Sequence, residues 1–463
     1  MRAQCLSLCV FAGLVTACGD DGGRGTAGSA GSAASLATSA ETGGTQSATD
    51  TTPTTSVSGA SASADGTGTT AATDDGTDDT NGTAPNPKFD VGTNLDGGDP
   101  CASMGGAGVD FSYIWVANSA QGTVSKINTE TMVEEGRYLV RADGLGSPSR
   151  TSVNLNGDVV IANRSGGIAK VYALKDSCVD LNGDLTIQTS TGAADILPWG
   201  TEECLAWYTE MPYNAQRPMA WTVGTFNTMT CKYENQKAWT TGGVVGGPNS
   251  VVAMRLNGDT GVIEQTIPVP EAGTPGAGPY GGAVDSQDNF WFHTRDVSPS
   301  ILVRVDALTL AYTVHVVPDP VAPYGITVDT SDRVWLAGYA GGTGRFDPLS
   351  GTWLTVPITG LGLQEDAKGR MWIAHYPWDT IRGVHGLDVE TMAEIKFIDM
   401  TAATTDSRGI SVDFKGNVWM VDQTANAFRI EPEAGTWDIY PGLTGPYTYS
   451  DMTGFGLSNI APG

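Results

Sequence analysis

Pro323-Tyr324-Gly325-Ile326-Thr327-Val328-Asp329, a turn at Ser331-Asp332-Arg333, then Val334-Trp335-Leu336: this stretch recurs along the chain and decides its architecture. Gly281-Gly282-Ala283-Val284-Asp285 leads in the same way to Phe290-Trp291-Phe292, and Gly362-Leu363-Gln364-Glu365-Asp366 to Met371-Trp372-Ile373. Gly409-Ile410-Ser411-Val412-Asp413 leads to Val418-Trp419-Met420. In all four copies the glycine stands ten residues before the tryptophan. Spacing this regular means one supersecondary unit repeated, not separate folds in series.

The unit reads as four strands. A third run such as Ile301–Asp306 and a fourth such as Thr313–Val317 follow each tryptophan strand, separated by Gly, Asp and Asn turns. Short β-rich runs at this period are what a propeller blade requires. Gly351-Thr352-Trp353 and Gly435-Thr436-Trp437 repeat in detail, each 18 residues after its blade's first tryptophan. Degenerate copies lie upstream: Ile114–Asn118, Val159–Asn163 with Arg150–Asn154 before it, and Ala238–Thr241 with Pro218–Val223 before it. Second strands therefore centre on residues 115, 160, 239, 291, 335, 372 and 419, with Trp207 or Trp221 as alternatives to 239. The expected fold is all-β, a seven-bladed β-propeller over residues 101–463, with an insertion at about 176–216 between blades two and three. The first blade lacks an inner strand of its own. The C-terminal tail, with Pro446-Tyr447 and a strand at Met452–Leu457, is expected to pair beside Trp115 and close the ring, removing exposed sheet edges.

Residues 1–17 read as an export signal: Arg2, then an apolar run from Leu6 to Val15 too short for a permanent membrane span. Val15-Thr16-Ala17-Cys18 resembles the lipobox of bacterial lipoproteins, which implies a lipid on Cys18; an ordinary signal peptide with Cys18 free is the alternative. Gly19 after the cysteine points to the outer membrane of the cell envelope, on its periplasmic or surface face. Residues 18–100 are Gly, Ser, Thr, Ala and Asp with almost no large apolar side chain, a composition that stays disordered and serves as a tether. With 25 basic against 51 acidic residues, nucleic acid is excluded as a partner. Cys101, Cys178, Cys204 and Cys231 form an even set in an oxidising compartment, with three possible pairings. The short irregular loop between them favours Cys178 with Cys204, leaving Cys101 with Cys231.

Pro-Tyr-Gly-Ile, a turn and an aromatic-rich tryptophan strand resemble the virginiamycin B lyase (streptogramin lyase) family over about residues 105–463. The resemblance implies a seven-bladed propeller and an elimination that opens a cyclic depsipeptide, using histidine and glutamate near magnesium. The family's catalytic histidines stand at the tyrosine of the Pro-Tyr-Gly turn, where this chain has Ser149, Tyr280, Tyr324 and Arg408. Its glutamates close tryptophan strands, where this chain has Asn118, Thr294, Gly338, His375 and Asp422. Magnesium is thus expected only if a lyase-like site exists, with His293 or His375 as a relocated base; His315 and His385 fall on outer strands.

Inner strands start, and second strands end, at one side of a blade. Tyr280, Tyr324, Arg408, His375, Asp422, Asn118 and Asn163 are therefore expected around one mouth of the channel, as a pocket for a small-molecule, peptide-like or protein ligand. The same groups also suit turn capping and blade packing. In the insertion, Asp180, Asn182 and Asp184 alternate like calcium ligands, although Leu185 replaces the usual glycine and Thr191 the closing glutamate. Such a calcium would be structural. The function expected is a binding module at the envelope. The alternatives are a streptogramin lyase-like enzyme and a metal-dependent lactonase-like hydrolase with Asn118, Asn163 and Asp422 around a channel metal.

Overall fold

A computed structural model describes residues 112–376, 379–449 and 451–461. The segments read as export signal and tether, with Cys18 and Cys101, lie outside the described residues.

The chain forms a seven-bladed β-propeller in which neighbouring strands within each blade are antiparallel. Blade four is typical: Gly278–Val284 lines the axis, followed outward by Phe290–Arg295, Ile301–Val305 and Tyr312–Val316. Blades five, six and seven repeat it, with inner strands Ala322–Val328, Gly360–Glu365 and Gly409–Val412. The second strand of blade three is Lys237–Gly242, so residue 239 is its centre. Trp221 belongs to that blade's inner strand and Trp207 to the outer strand of blade two, Leu205–Glu210.

Two features of the repeat have direct physical causes. A Cβ on Gly325 would meet the Leu361 carbonyl oxygen at 2.0 Å, and one on Gly409 the Thr448 oxygen at 2.4 Å. The glycine is thus the point where one inner strand presses on the next around the axis. The aspartate four residues later is a clamp. Asp285, Asp329, Asp366 and Asp413 each accept the indole N–H of their blade's tryptophan at 2.7–2.9 Å while also capping the turn between the two strands. All four tryptophans are fully buried, so each indole N–H needs that acceptor.

The blades are also stapled to one another. A basic side chain on the third strand reaches turn carbonyls of the following blade: Lys126 to Ala173, Lys170 to Gly258, Arg255 to Ala307 and Arg345 to Glu390. Arg429 of blade seven does the same to Thr129 and Glu130 of blade one.

Blade one contributes Tyr113–Asn118, Thr123–Asn128 and Glu134–Leu139, and the C-terminal tail supplies its missing inner strand. Tyr447 N–H donates to Ala117 O, Trp115 N–H to Met452 O, and Asn118 bridges Pro446. The pairing therefore spans 446–452, earlier than the strand expected at Met452–Leu457. Phe455–Ile460 is instead an α-helix, begun by left-handed Gly454 and by Asp451, which accepts the N–H groups of Thr453, Gly454 and Leu457. The helix lies against the far ends of the inner strands, near Ala283, Val284 and Thr327, and covers that end of the channel.

The insertion also sits elsewhere than expected. It interrupts blade two between its third strand, Gly167–Val171, and its outer strand, because Leu205–Glu210 returns to pair with Gly167–Val171. The Cys178–Cys204 disulfide closes its base. Cys231 is disulfide-bonded as well, while Cys101 falls outside the described residues.

Candidate functional site

The strand register fixes which residue each blade presents at the start of its inner strand. Pairing Ala283 with Trp291, Ser411 with Trp419, Gln364 with Trp372 and Ala220 with Trp239 aligns the blades. Tyr280 then corresponds to Tyr447, Ser149, Arg217, Tyr324, Leu361 and Arg408 around the ring. Of these, Arg217 and Leu361 escape the reading of the sequence, while Pro446-Tyr447 is read there as part of the closing tail but not placed at the mouth.

The tyrosines meet on the axis. Tyr280 Oη lies 2.5 Å from Tyr447 Oη, and Tyr324 Oη lies 2.7 Å from both Tyr447 Oη and Tyr449 Oη. Arg408 donates to Tyr449 Oη at 3.0 Å and is held by Asp406 at 2.7 Å. Around this network stand four more guanidinium groups. Arg150 is stacked on Tyr280 and Tyr449 at 4.8 and 4.3 Å, Arg164 on Tyr447 at 4.1 Å and Arg217 on Tyr280 at 5.1 Å. Arg295 lies 4.9–5.1 Å from the rings of Tyr280, Tyr324 and Tyr339. Burial alone would push the Tyr280 phenol up, but Arg217, Arg150 and Arg295 outweigh it and hold the group down, to about 8. The first proton to leave the cluster thus leaves near pH 8, while burial and the resulting negative charge push Tyr324 and Tyr447 up.

The other expected site residues lie away from this network. Asn118 donates to Ser125 Oγ and accepts from Thr444 N–H, securing the ring closure. Asn163 donates to Val140 O in the preceding blade. Asp422 is an Asx cap for Thr424, Ala425 and Asn426. His375 turns back into its own blade, where Nδ1 lies 2.7 Å from Nε2 of His385, whose Nδ1 lies 2.6 Å from Glu394 Oε1. The side chains third after the central residue of the second strand thus point into the blade wall. Those fourth after it, Arg164, Arg295, Tyr339 and Tyr376, belong to the axial cluster. Strand alternation makes a shift of one residue a change of face.

His293 is fully buried, with its ring nitrogens 3.1 Å from Tyr324 O and 3.3 Å from Thr294 O. Burial lowers the imidazole to about 4, so it is neutral and bound to main chain. Burial and His385 likewise lower His375, whose Nε2 lies 3.5 Å from Asp379. In the insertion, Asp180 accepts Gly183 and Leu185 N–H, Asn182 accepts Asp184 N–H, and Asp184 accepts Thr186 N–H. A calcium ion would compete with those donors for the same oxygens. Among the described residues no three His, Cys, Asp or Glu side chains are grouped to hold a metal ion.

No protein-family model matches the sequence, and no curated protein matches it. Among solved structures the chain is similar to a streptogramin B lyase at 15% identity, over 67% of this chain and 87% of that one, with a TM-score of 0.47. A selenomethionine-substituted virginiamycin B lyase from Staphylococcus aureus matches at 16% identity over 64% and 84% of the two chains, with a TM-score of 0.44. BamB from Moraxella catarrhalis matches at 13% identity over 73% and 90%, with a TM-score of 0.40.

Proposed function

We propose that this chain is an exported lipoprotein whose propeller is a binding module. Its ligand, small-molecule, peptide-like or protein, is received at the mouth where the inner strands begin. The supporting observation is the convergence of Tyr280, Tyr324, Tyr447, Tyr449 and Arg408 on the axis. These are aromatic walls with a few directed polar groups, which is the make-up of a recognition site. The fold itself adds no choice among functions. Cys18 and the segment to residue 100 supply anchor and tether in this reading, at the outer membrane.

A second reading has its own observation. The His375–His385–Glu394 chain gives one histidine a carboxylate relay, as a relocated base of a lyase-like or lactonase-like enzyme needs. One assay separates the two. The full chain is incubated with a cyclic depsipeptide and with a lactone, in magnesium and calcium, with and without chelator. The binding reading expects both rings to stay closed by mass spectrometry. Chelator-sensitive ring opening that disappears in His375→Ala would replace it with the enzyme.

A further inference from the structure

The axial cluster carries more positive charge than its neighbours balance. Among the described residues, Arg408 is paired with Asp406, and Arg295 has Asp296 at 3.7 Å. No carboxylate forms an ion pair with Arg150, Arg164 or Arg217 there, in a chain whose formal net charge is −26. Three unpaired guanidinium groups gathered on one tyrosine cluster are therefore not a consequence of overall composition.

Their hydrogen bonding is incomplete as well. Arg150 is fully buried and gives one N–H to Ser149 O, yet its Nε and Nη2 have no acceptor. The buried Nε atoms of Arg164, Arg217 and Arg295 also lack one. A buried cationic donor without an acceptor is among the most costly features a fold can keep. Several together at one locus mark a place that a ligand completes.

The sequence put Arg150 there by an exception to the repeat. It occupies the position of Gly281, Gly325, Gly362 and Gly409, pairing with Ala162 as Gly281 pairs with His293. Where four other blades have a glycine pressed against the next inner strand, blade two has a guanidinium, stacked on Tyr280 and Tyr449 at the axis. The C-terminal helix lies against the far ends of the inner strands, and at the arginine mouth Arg164, Arg217 and Arg295 are only partly buried, so approach to the cluster is from that side.

We infer that the mouth of this channel is a receptor for a tetrahedral oxyanion group, a phosphate or sulfate free or as an ester, held by Arg150, Arg164, Arg217 and Arg295. The inference rests on the binding-module reading and names its ligand chemistry. Guanidinium edges match oxyanion geometry, and stacking on tyrosine rings fixes the guanidinium planes without using their N–H groups. A phosphate ester of an aromatic group would also use the Tyr339 and Tyr376 walls.

The test is calorimetric titration of the full chain with inorganic phosphate, sulfate and phenyl phosphate at constant ionic strength, with chloride as control. Saturable binding of at least one probe, weakened tenfold or more in Arg217→Gln, is expected; preference for phenyl phosphate would identify an ester and preference for phosphate the free ion. Arg217 is at the mouth and its guanidinium has no carboxylate partner among the described residues to lose, so that variant without ligand should be at least as stable as the wild type; Arg164→Gln is the independent second variant. No saturable binding up to about 10 mM, or equal binding in both variants, overturns the inference, since removing a charged hydrogen-bond partner should cost about tenfold or more. The ring-opening assay reports on the binding-module reading by itself, so the two can fail separately.

Discussion

Replacing Asp329 by Asn changes one atom and tests whether the aspartate clamp holds the repeat. Oδ2 of this fully buried side chain accepts Trp335 Nε1–H at 2.8 Å and Arg333 Nε–H at 2.7 Å. Oδ1 accepts the Ser331 and Arg333 main-chain N–H groups at 2.9 Å each. Asparagine keeps one acceptor, so whichever way its amide turns, an NH2 group faces two donors. An orphaned indole N–H costs about 1–3 kcal/mol, and loss of a charge-assisted bond about 1.5–3 kcal/mol. Arg333 retains Glu390, which favours the lower end of the second range. The sum is about 3–5 kcal/mol. With roughly 350 residues in the propeller and about 2.1 cal/mol/K of unfolding entropy per residue, that lowers Tm by about 4–7 °C. Asp329→Ala should cost no more than Asp329→Asn, because a water can enter the space left by alanine. Trp335→Phe in the Asp329→Asn background should recover about 1 kcal/mol or more, measured as a double-mutant cycle by urea denaturation. An Asp329→Asn protein within about 1 kcal/mol of wild type would refute the clamp, since that is less than one orphaned donor costs.

Other outcomes follow from the same structure. Removing residues 445–463 should abolish cooperative unfolding of the propeller, and Met452→Ala, at a fully buried site on the closing strand, should cost about 2–5 kcal/mol; a truncated chain that melts like the whole one would contradict the closure. Opening the Cys178–Cys204 bridge, 26 residues apart, should cost about 3.5 kcal/mol on the chain-entropy estimate, read as a reductant-dependent fall in stability absent from a Cys178→Ser, Cys204→Ser variant. Burial raises Glu365 to about 7, so the folded state holds that proton more tightly than the unfolded one and stability falls as pH rises from 4.5 to 7. Glu365→Gln should remove that slope and be the more stable protein at pH 8, as seen in denaturation curves at both ends. Tyr280 has the opposite sign: held down at about 8, it adds stability as pH rises from 8 to 10, a gain absent in Tyr280→Phe. Ultraviolet difference titration should find one of the 14 tyrosines ionising near pH 8 in wild type and none in that variant.

The propeller was readable because its repeat is written in residues whose reasons are local. Glycine ten residues before tryptophan marks inner-strand contact, and the intervening aspartate marks the indole acceptor. Of the degenerate strands, the one at residue 160 kept that spacing, whereas a hairpin, Thr225–Asn227 with Lys232–Glu234, separates blade three's inner strand from Trp239, and Trp115 takes its inner strand from the tail. The tail was read one segment too late: Phe455-Gly456-Leu457 carries no helix-period signal of its own, and Asp451 caps the helix only once the chain is folded there. The insertion was misplaced because a strand's partner is decided by the return of Leu205–Glu210, a tertiary fact. At the axis, Tyr280, Tyr324 and Arg408 could be named from their turns. Arg164 and Arg295 were missed by one residue, and alternation turned that into the wrong face. Arg150 had a visible signal, a charged residue at the repeat's glycine position. Asn118 and Asp422 are turn and closure residues, as short polar side chains at strand ends commonly are.

A crystal structure of the full chain grown with phosphate, magnesium and calcium puts the central claim to the most direct test. The account predicts an oxyanion on the axis, accepting from Arg217 and its neighbouring guanidinium groups above the four linked tyrosines. A metal ion held by His375 with Asp379 or Glu394, over an axis without an anion, would contradict it and make the blade-six histidine pair the site.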